Sequence, residues 1–139
     1  MIRRFEERDT ERVMRIWLEG NLGAHDFIPG TYWRAQYAQV QEQLAQAEVL
    51  VYEENGNIRG FAGMTGSYLA GIFVDQTARS RGIGKEILGY LKEHYPVFTL
   101  HVYRKNQRAV DFYLREGLQI VEKGMDEETA EADYTMQWK

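Results

Sequence analysis

The sequence predicts an α/β fold in which a mixed, mostly antiparallel central sheet of about seven strands carries four helices over its two faces. Three observations lead to this prediction. Runs of apolar residues typical of strands alternate with stripes spaced three or four residues apart, which are typical of helices. Asn55-Gly56 lies between two such runs and indicates a tight hairpin. Residues 68–74 and 98–103 are strand-like, and a helical segment follows each of them.

The amino-terminal part is predicted to form a strand, two helices and the loop between them. Residues 2–5 form the strand, and Asp9 or Thr10 is suited to cap a helix that Gly20 would end. Residues 21–31 mix glycine and proline with polar and aromatic groups, so this stretch is expected to be irregular. The apolar faces of the two helices are Val13, Ile16 and Trp17 in the first, and Trp33, Tyr37, Val40 and Leu44 in the second.

The remainder is predicted to alternate strands with two more helices. Residues 68–74 are apolar at nearly every position, which predicts a strand buried on both faces. Pro96 is placed to stop the third helix, and Gly117 is suited to end the fourth. The predicted segments are strands 49–53, 58–64, 68–74, 98–103, 118–123 and 134–138, with helices from Ile83 to Tyr95 and from Asn106 to Glu116.

A phosphate-binding turn is predicted where the strand 68–74 leads into the third helix. Gly82 and Gly84 remove Cβ atoms from the turn, and a helix start offers unpaired backbone N–H groups together with the positive end of the helix dipole. Arg79, Arg81 and Lys85 add positive charge. The spacing excludes the dinucleotide-binding fingerprint, which needs a third small residue where Ile87 stands, and it excludes a Walker A loop.

Two motifs in order resemble those of the GNAT superfamily of acyl-CoA N-acyltransferases. The first is Arg79-x-x-Gly82-x-Gly84 after a strand that ends at Val74. The second is Asn106-x-x-Ala109-x-x-Phe112-Tyr113-x-x-x-Gly117-Leu118, in which Leu118 replaces the usual phenylalanine. The order of predicted elements also agrees with that fold over almost the whole chain. The resemblance implies a GNAT-type fold and an acetyl-CoA-dependent transfer of an acetyl group to a primary amine.

The resemblance also implies which residues hold the co-substrate. Backbone groups of the strand would pair with the pantetheine arm, and the amides of the glycine turn would bind the pyrophosphate. Tyr113 matches the family tyrosine that protonates the leaving thiolate, so it is the expected catalytic residue. The expected coenzyme-binding residues are Ile72, Phe73, Val74, Arg79, Ser80, Arg81, Gly82, Ile83, Gly84, Lys85, Asn106, Ala109, Phe112 and Tyr113.

The group that takes the proton from the acceptor amine stays open at this stage. An alkylammonium with a pKa near ~10.4 needs about 4.6 kcal/mol to lose its proton at pH 7. His25, in the loop that borders the acceptor site in relatives, and His101, in the strand before Asn106, are candidates because histidine titrates in a suitable range. Removal through water is the third option.

The acceptor is expected to be a protein lysine or a small amine. The segments 25–28, 32–33, 104–107 and 126–129 resemble those of YiaC-like bacterial members of the superfamily, for which protein lysine acetylation is implied. The acidic residues between positions 126 and 133 could attract a cationic acceptor. The alternatives are a small metabolite or antibiotic as acceptor, and an acyl-CoA sensor without turnover. The expected acceptor-binding residues are His25, Phe27, Trp33 and Tyr68.

Length and composition limit the remaining possibilities. A chain of 139 residues is expected to form a single acetyltransferase domain, spanning residues 1–139, as a monomer or homodimer. The absence of cysteine excludes disulfides and thiolate chemistry, and no metal is expected. A net charge of −4 argues against nucleic-acid binding. The sequence has no long apolar run, so we expect a cytoplasmic protein that does not bind membranes.

Overall fold

The computed structural model describes residues 1–139 and contains one seven-stranded sheet with four α-helices, as the sequence predicts. The strand order is β1-β2-β3-β4-β5-β7-β6, and every neighbouring pair except β4 and β5 is antiparallel. In chain order the elements are β1 (Ile2–Arg4), α1 (Thr10–Ala24), α2 (Gly30–Leu44), β2 (Glu48–Glu54), β3 (Asn57–Thr65), β4 (Tyr68–Val74), α3 (Ile83–His94), β5 (Phe98–Tyr103), α4 (Gln107–Arg115), β6 (Gln119–Asp126) and β7 (Glu131–Trp138).

Two hydrophobic cores lie on opposite faces of the sheet. The apolar stripe of α1 and the helix α2 pack on one face, around Trp17, Trp33 and Phe61. The helices α3 and α4 pack on the other face, around Phe98 and Leu118. Leu118 is buried, so the core accepts leucine at a position where the family motif has phenylalanine. None of the four helices combines the length and the apolar character that a membrane crossing requires.

The strands β4 and β5 are parallel neighbours that separate soon after they meet. Only Tyr68 and Thr99 stand in register, although the strands have seven and six residues. On its other side, β4 pairs with β3 along its length, apart from a register shift that leaves Ala70 without a partner. The sheet therefore splits between its fourth and fifth strands, and the carboxyl halves of β4 and β5 border an open cleft.

The prediction that Gly20 ends the first helix is wrong. The helix α1 continues to Ala24, and Gly20 is buried within it. A Cβ at this position would lie 3.3 Å from Cδ1 of Phe73, so the glycine allows α1 to pack closely on β4. The predicted irregular stretch is correspondingly shorter, because residues 21–24 belong to α1 and the second helix begins at Gly30.

Two further expectations need correction. The strand β4 is not buried on both faces: Leu69 is its one buried residue, because the split sheet leaves β4 facing the cleft. The last two strands are longer than the predicted ranges 118–123 and 134–138, so Asp126, Glu131 and Asp133 lie on β6 and β7 and not in a loop between them. These carboxylates are therefore held by the register of a hairpin.

Candidate active site

A cleft of about 1320 Å³ occupies the split between β4 and β5. Its walls come from β4, from the first turn of α3 and from α4, while α1 and α2 contribute residues at one end. The hairpin β6–β7 lines the same cavity with Glu122, Asp126 and Asp133. The cleft thus runs from a basic end at α3 to an acidic end at β6–β7.

The basic end is built around the first turn of α3. Gly82 is the N-cap residue of α3 with φ of +83°, and Ser80 also has a positive φ of +64°. No side chain caps the helix, so its first N–H groups have no partner within the protein. Gly82, Ile83, Gly84 and Lys85 all line the cleft. Backbone donors and the helix dipole are therefore available to an anion at this point.

Three basic side chains at this end have no carboxylate partner. Arg79, Lys85 and Arg108 line the cleft, and none of them belongs to an ion pair in the structure. Burial and the neighbouring Arg108 charge both lower the pKa of Arg79. Like charges held together without a counter-ion destabilise a protein on their own, so this arrangement favours an anionic ligand.

Arg81, which the sequence also assigns to this turn, lies outside the lining of the cleft. Its guanidinium forms an ion pair with Glu54 on β2 at 2.8 Å. The side chain therefore fastens the turn to the sheet.

Tyr113 lies on α4 and lines the cleft. The residue is only 7% exposed, and burial raises the pKa of its hydroxyl, while the backbone of Ile72 acts in the opposite direction. The phenol is therefore protonated at any pH at which an enzyme is normally assayed. A buried protonated hydroxyl beside β4 can donate a proton or a hydrogen bond to a group bound in the cleft.

His25 lies in a chain of hydrogen bonds that links α1 to α4. Asn21 Nδ2 donates to the carbonyl of Trp17 at 3.0 Å, so its Oδ1 faces Nδ1 of His25, at 2.9 Å. The Nε2 atom of His25 lies 3.0 Å from Nδ2 of Asn106, whose Oδ1 accepts from the N–H of Ala109 at 3.3 Å. This pattern assigns a neutral imidazole with its proton on Nδ1.

Burial lowers the pKa of His25 to about 4. Both ring nitrogens are occupied, so the imidazole has no lone pair to offer to a substrate. Its position instead ties the end of α1 to the N-cap residue of α4, next to the cleft.

The acidic end of the cleft contains a second set of paired side chains. The Tyr68 hydroxyl lies 3.0 Å from Nδ1 of His101, across the point where β4 meets β5. The Tyr103 hydroxyl donates to Oδ2 of Asp126 at 2.6 Å. Burial together with the charges of Asp133 and Asp126 raises the pKa of Tyr68. These groups suit a cationic ligand.

The structure brings together nearly all the site residues expected from the sequence. Those that line the cleft are Ile72, Phe73, Val74, Arg79, Ser80, Gly82, Ile83, Gly84, Lys85, Asn106, Ala109, Phe112 and Tyr113, with His25, Trp33 and Tyr68. Phe27 lies outside it, next to a smaller cavity, and its ring packs against those of His25 and Tyr103. Sequence reasoning missed Asn21 and Tyr103 as parts of the site. A polar residue four positions before His25 on a buried helix was the available signal for Asn21.

No three histidine, aspartate or glutamate side chains are arranged to hold a metal ion.

Comparison with known proteins identifies the family. The model of the acetyltransferase (GNAT) family matches residues 10–118. The peptidyl-lysine N-acetyltransferase YiaC of Escherichia coli is 37% identical, over 99% of this chain and 96% of YiaC. The chain therefore belongs to the GNAT family, and it is an N-acetyltransferase.

Solved structures agree on the fold. The solution structure of apo-form YjaB from Escherichia coli matches with a TM-score of 0.88 at 23% identity, covering 99% of this chain and 96% of that one. The PaiA N-acetyltransferase of Thermoplasma acidophilum, in complex with coenzyme A, matches with a TM-score of 0.83 at 17% identity, covering 100% and 98% of the two chains.

Proposed function

We propose that this protein transfers the acetyl group of acetyl-CoA to the ε-amino group of a protein lysine, by direct attack of the amine while both substrates are bound. One observation carries the proposal: the uncapped start of α3, the carboxylates of β6–β7 and the buried Tyr113 all line a single cleft. The bacterial relative at 37% identity is named for the same activity.

The basic end fits the phosphates of coenzyme A. The unpaired N–H groups after Gly82 suit a pyrophosphate, and Arg79, Lys85 and Arg108 supply charge that no carboxylate of the protein neutralises. A Cβ on Gly84 would lie 3.6 Å from the ring of Phe112 and 3.8 Å from Val74, inside the cleft wall. The separated strands leave backbone groups of β4 available to the pantetheine arm.

The chemistry requires stabilisation of a leaving thiolate. A thiol with a pKa near ~8.5 is a better leaving group when a donor meets the sulfur as charge accumulates. The pKa of Tyr113 is raised, so its hydroxyl keeps its proton until that moment. The chain has no cysteine that could carry the acetyl group, which supports direct transfer over a thioester intermediate on the enzyme.

The acidic end of the cleft favours a lysine over a neutral amine. Asp126, Asp133 and Glu122 line the end of the cleft away from the phosphates. A lysine side chain is long and carries its charge at the tip, so it can reach the thioester from the protein surface. Carboxylates at the acidic end would raise the local concentration of such a lysine.

The test measures acetylation of a matched panel by mass spectrometry. The panel contains a lysine peptide with a blocked amino terminus, the same peptide with arginine for lysine and a free amino terminus, and small polyamines. We expect acetyl transfer to lysine with a clear preference over the other two classes. Transfer only to small amines would support the alternative acceptor class, and binding of acetyl-CoA without transfer to any amine would support the sensor interpretation.

We further propose that residues 1–139 form one acetyltransferase domain, since the seven strands make a single sheet. A cytoplasmic location and a monomeric or homodimeric state stay predictions.

A further inference from the structure

We propose that Tyr68 and His101 form the proton-accepting pair of this enzyme: Tyr68 contacts the acceptor amine, and His101 receives the proton through it. The inference rests on the proposed transfer to an amine and adds the group that deprotonates it.

The position of the pair suits this role. Tyr68 and Thr99 are the only residues of β4 and β5 in register, so the pair lies at the point where the cleft opens. The side chains of Tyr68 and His101 both line the cleft. Tyr113 lines the same cleft. A proton acceptor and a proton donor thus border the cavity in which the thioester would be attacked.

The hydrogen bond between the Tyr68 hydroxyl and Nδ1 of His101 is 3.0 Å long. With the proton of the neutral imidazole on Nε2, Nδ1 accepts from the Tyr68 hydroxyl, which is the arrangement that the proposed path uses. A lone pair of the Tyr68 oxygen can then accept an N–H of the amine. His101 is exposed, so its Nε2 can exchange protons with water.

The bound ammonium first gives one proton to the Tyr68 oxygen, while the Tyr68 proton passes to Nδ1 of His101. The neutral amine then attacks the thioester carbon, and Tyr113 protonates the sulfur as the C–S bond breaks. The second proton of the nitrogen replaces the one that Tyr113 has given up. Tyr68 ends neutral, as it began. His101 becomes an imidazolium and then returns to its neutral form by losing a proton to water.

The charges around the pair support a cationic intermediate. His101 faces Thr135 of β7 in the register, and Thr135 faces Glu122 of β6. Tyr103, two residues along β5, faces Asp133. From β4 the hydroxyl of Tyr68 is the group in contact with the ring. Glu122 and Asp133 are thus close to His101 in the register of the sheet, and their charges favour both the ammonium of a substrate and the imidazolium that forms.

The other histidine of the cleft is unsuited to this task. Both nitrogens of His25 are engaged by asparagine side chains, and burial holds its pKa at about 4. His94, the third histidine, lies at the end of α3 on the opposite side of the sheet from α1 and does not line the cleft.

The experiment measures the pH dependence of kcat/KM for a lysine peptide in the wild type and in His101→Gln. Glutamine keeps an acceptor for the Tyr68 hydroxyl but cannot take up a proton. We expect kcat/KM to fall by roughly 10²-fold, in the lower range for general base groups, and its dependence on pH on the acid side of the profile to become weaker than in the wild type. The Kd for acetyl-CoA should stay within about twofold, since neither residue lies at the phosphate end, and His94→Gln is the matched control.

Two further variants make the result specific. Tyr68→Phe should show the same weaker dependence on pH, and the double variant should be no slower than the slower single variant, because the two residues act in one path. Imidazole added to His101→Ala should restore part of the rate. A wild-type rate and a wild-type pH profile in His101→Gln would overturn the inference while leaving the proposed function intact. No transfer by the wild type to any amine would overturn the proposed function, and this inference with it.

Discussion

Replacing Arg108 by glutamine should have opposite effects on the free protein and on its affinity for coenzyme A. Arg108 and Arg79 line the same part of the cleft without a carboxylate partner, and the charge of one lowers the pKa of the other. The contact that Arg108 makes with Ser80 Oγ is long, at 3.4 Å, so little is lost with it. Removing the charge therefore relieves a repulsion in the free protein and removes a partner of the bound phosphates.

The two magnitudes differ enough to be measured separately. Charge pairs at exposed positions change stability by about 0.2–1 kcal/mol, which corresponds to a rise in Tm of about 1–3 °C for a domain of this size. A hydrogen bond to a charged group contributes about 1.5–3 kcal/mol, so affinity for coenzyme A should fall by at least tenfold. The exposure of Arg108 places the expected loss at the lower end of that range.

The assay combines thermal unfolding without ligand and calorimetric titration with coenzyme A at two salt concentrations. Arg34→Gln is the control, since Arg34 lies exposed on α2 and does not line the cleft. The affinity of Arg108→Gln should also depend less steeply on salt, because fewer charges are neutralised on binding. A lower Tm together with unchanged affinity would show that Arg108 serves the fold and would refute the reasoning.

Two further predictions concern the turn and His25. Gly82→Ala should lower both Tm and coenzyme affinity, since alanine in a left-handed conformation costs about 1–2 kcal/mol. Gly84→Ala is the control, because its methyl would make an ordinary 3.6 Å contact with Phe112 and should leave Tm unchanged. The pKa of His25 is 6.5 in the unfolded chain and about 4 in the folded protein. The contribution of the neutral imidazole to stability is therefore fully present above pH 6.5 and is lost as the pH falls toward 4. The loss is roughly 3 kcal/mol, and unfolding midpoints of His25→Gln should show a weaker dependence over that window, while a parallel dependence in both proteins would contradict the assignment.

The fold was largely predictable because its local signals agree with its tertiary packing. The hairpin turn at Asn55-Gly56, the stripes of α2 and α3, and Gly117 with φ of +96° all match what the sequence indicates. Gly20 was misinterpreted because a glycine that allows close packing and a glycine that ends a helix look the same in sequence. Only the ring of Phe73, which lies far away in the chain, distinguishes them.

The site was predictable where backbone geometry defines it and less so where side chains from distant strands meet. The phosphate turn depends on residues adjacent in sequence, so its glycines revealed it. The contact between Tyr68 and His101 depends on the register of β4 against β5. The ion pair of Arg81 with Glu54 depends on the position of the strand β2. No local pattern encodes either contact.

Tyr113→Phe tests most directly whether Tyr113 protonates the leaving sulfur of acetyl-CoA bound in the cleft. The measurement is a single-turnover transfer to a lysine peptide, with the Kd for acetyl-CoA determined on the same preparation. We expect the Kd to change little, because the phosphate end is untouched, and the transfer rate to fall by about 10²–10⁴-fold. A variant that binds acetyl-CoA and transfers acetyl at the wild-type rate would contradict the account.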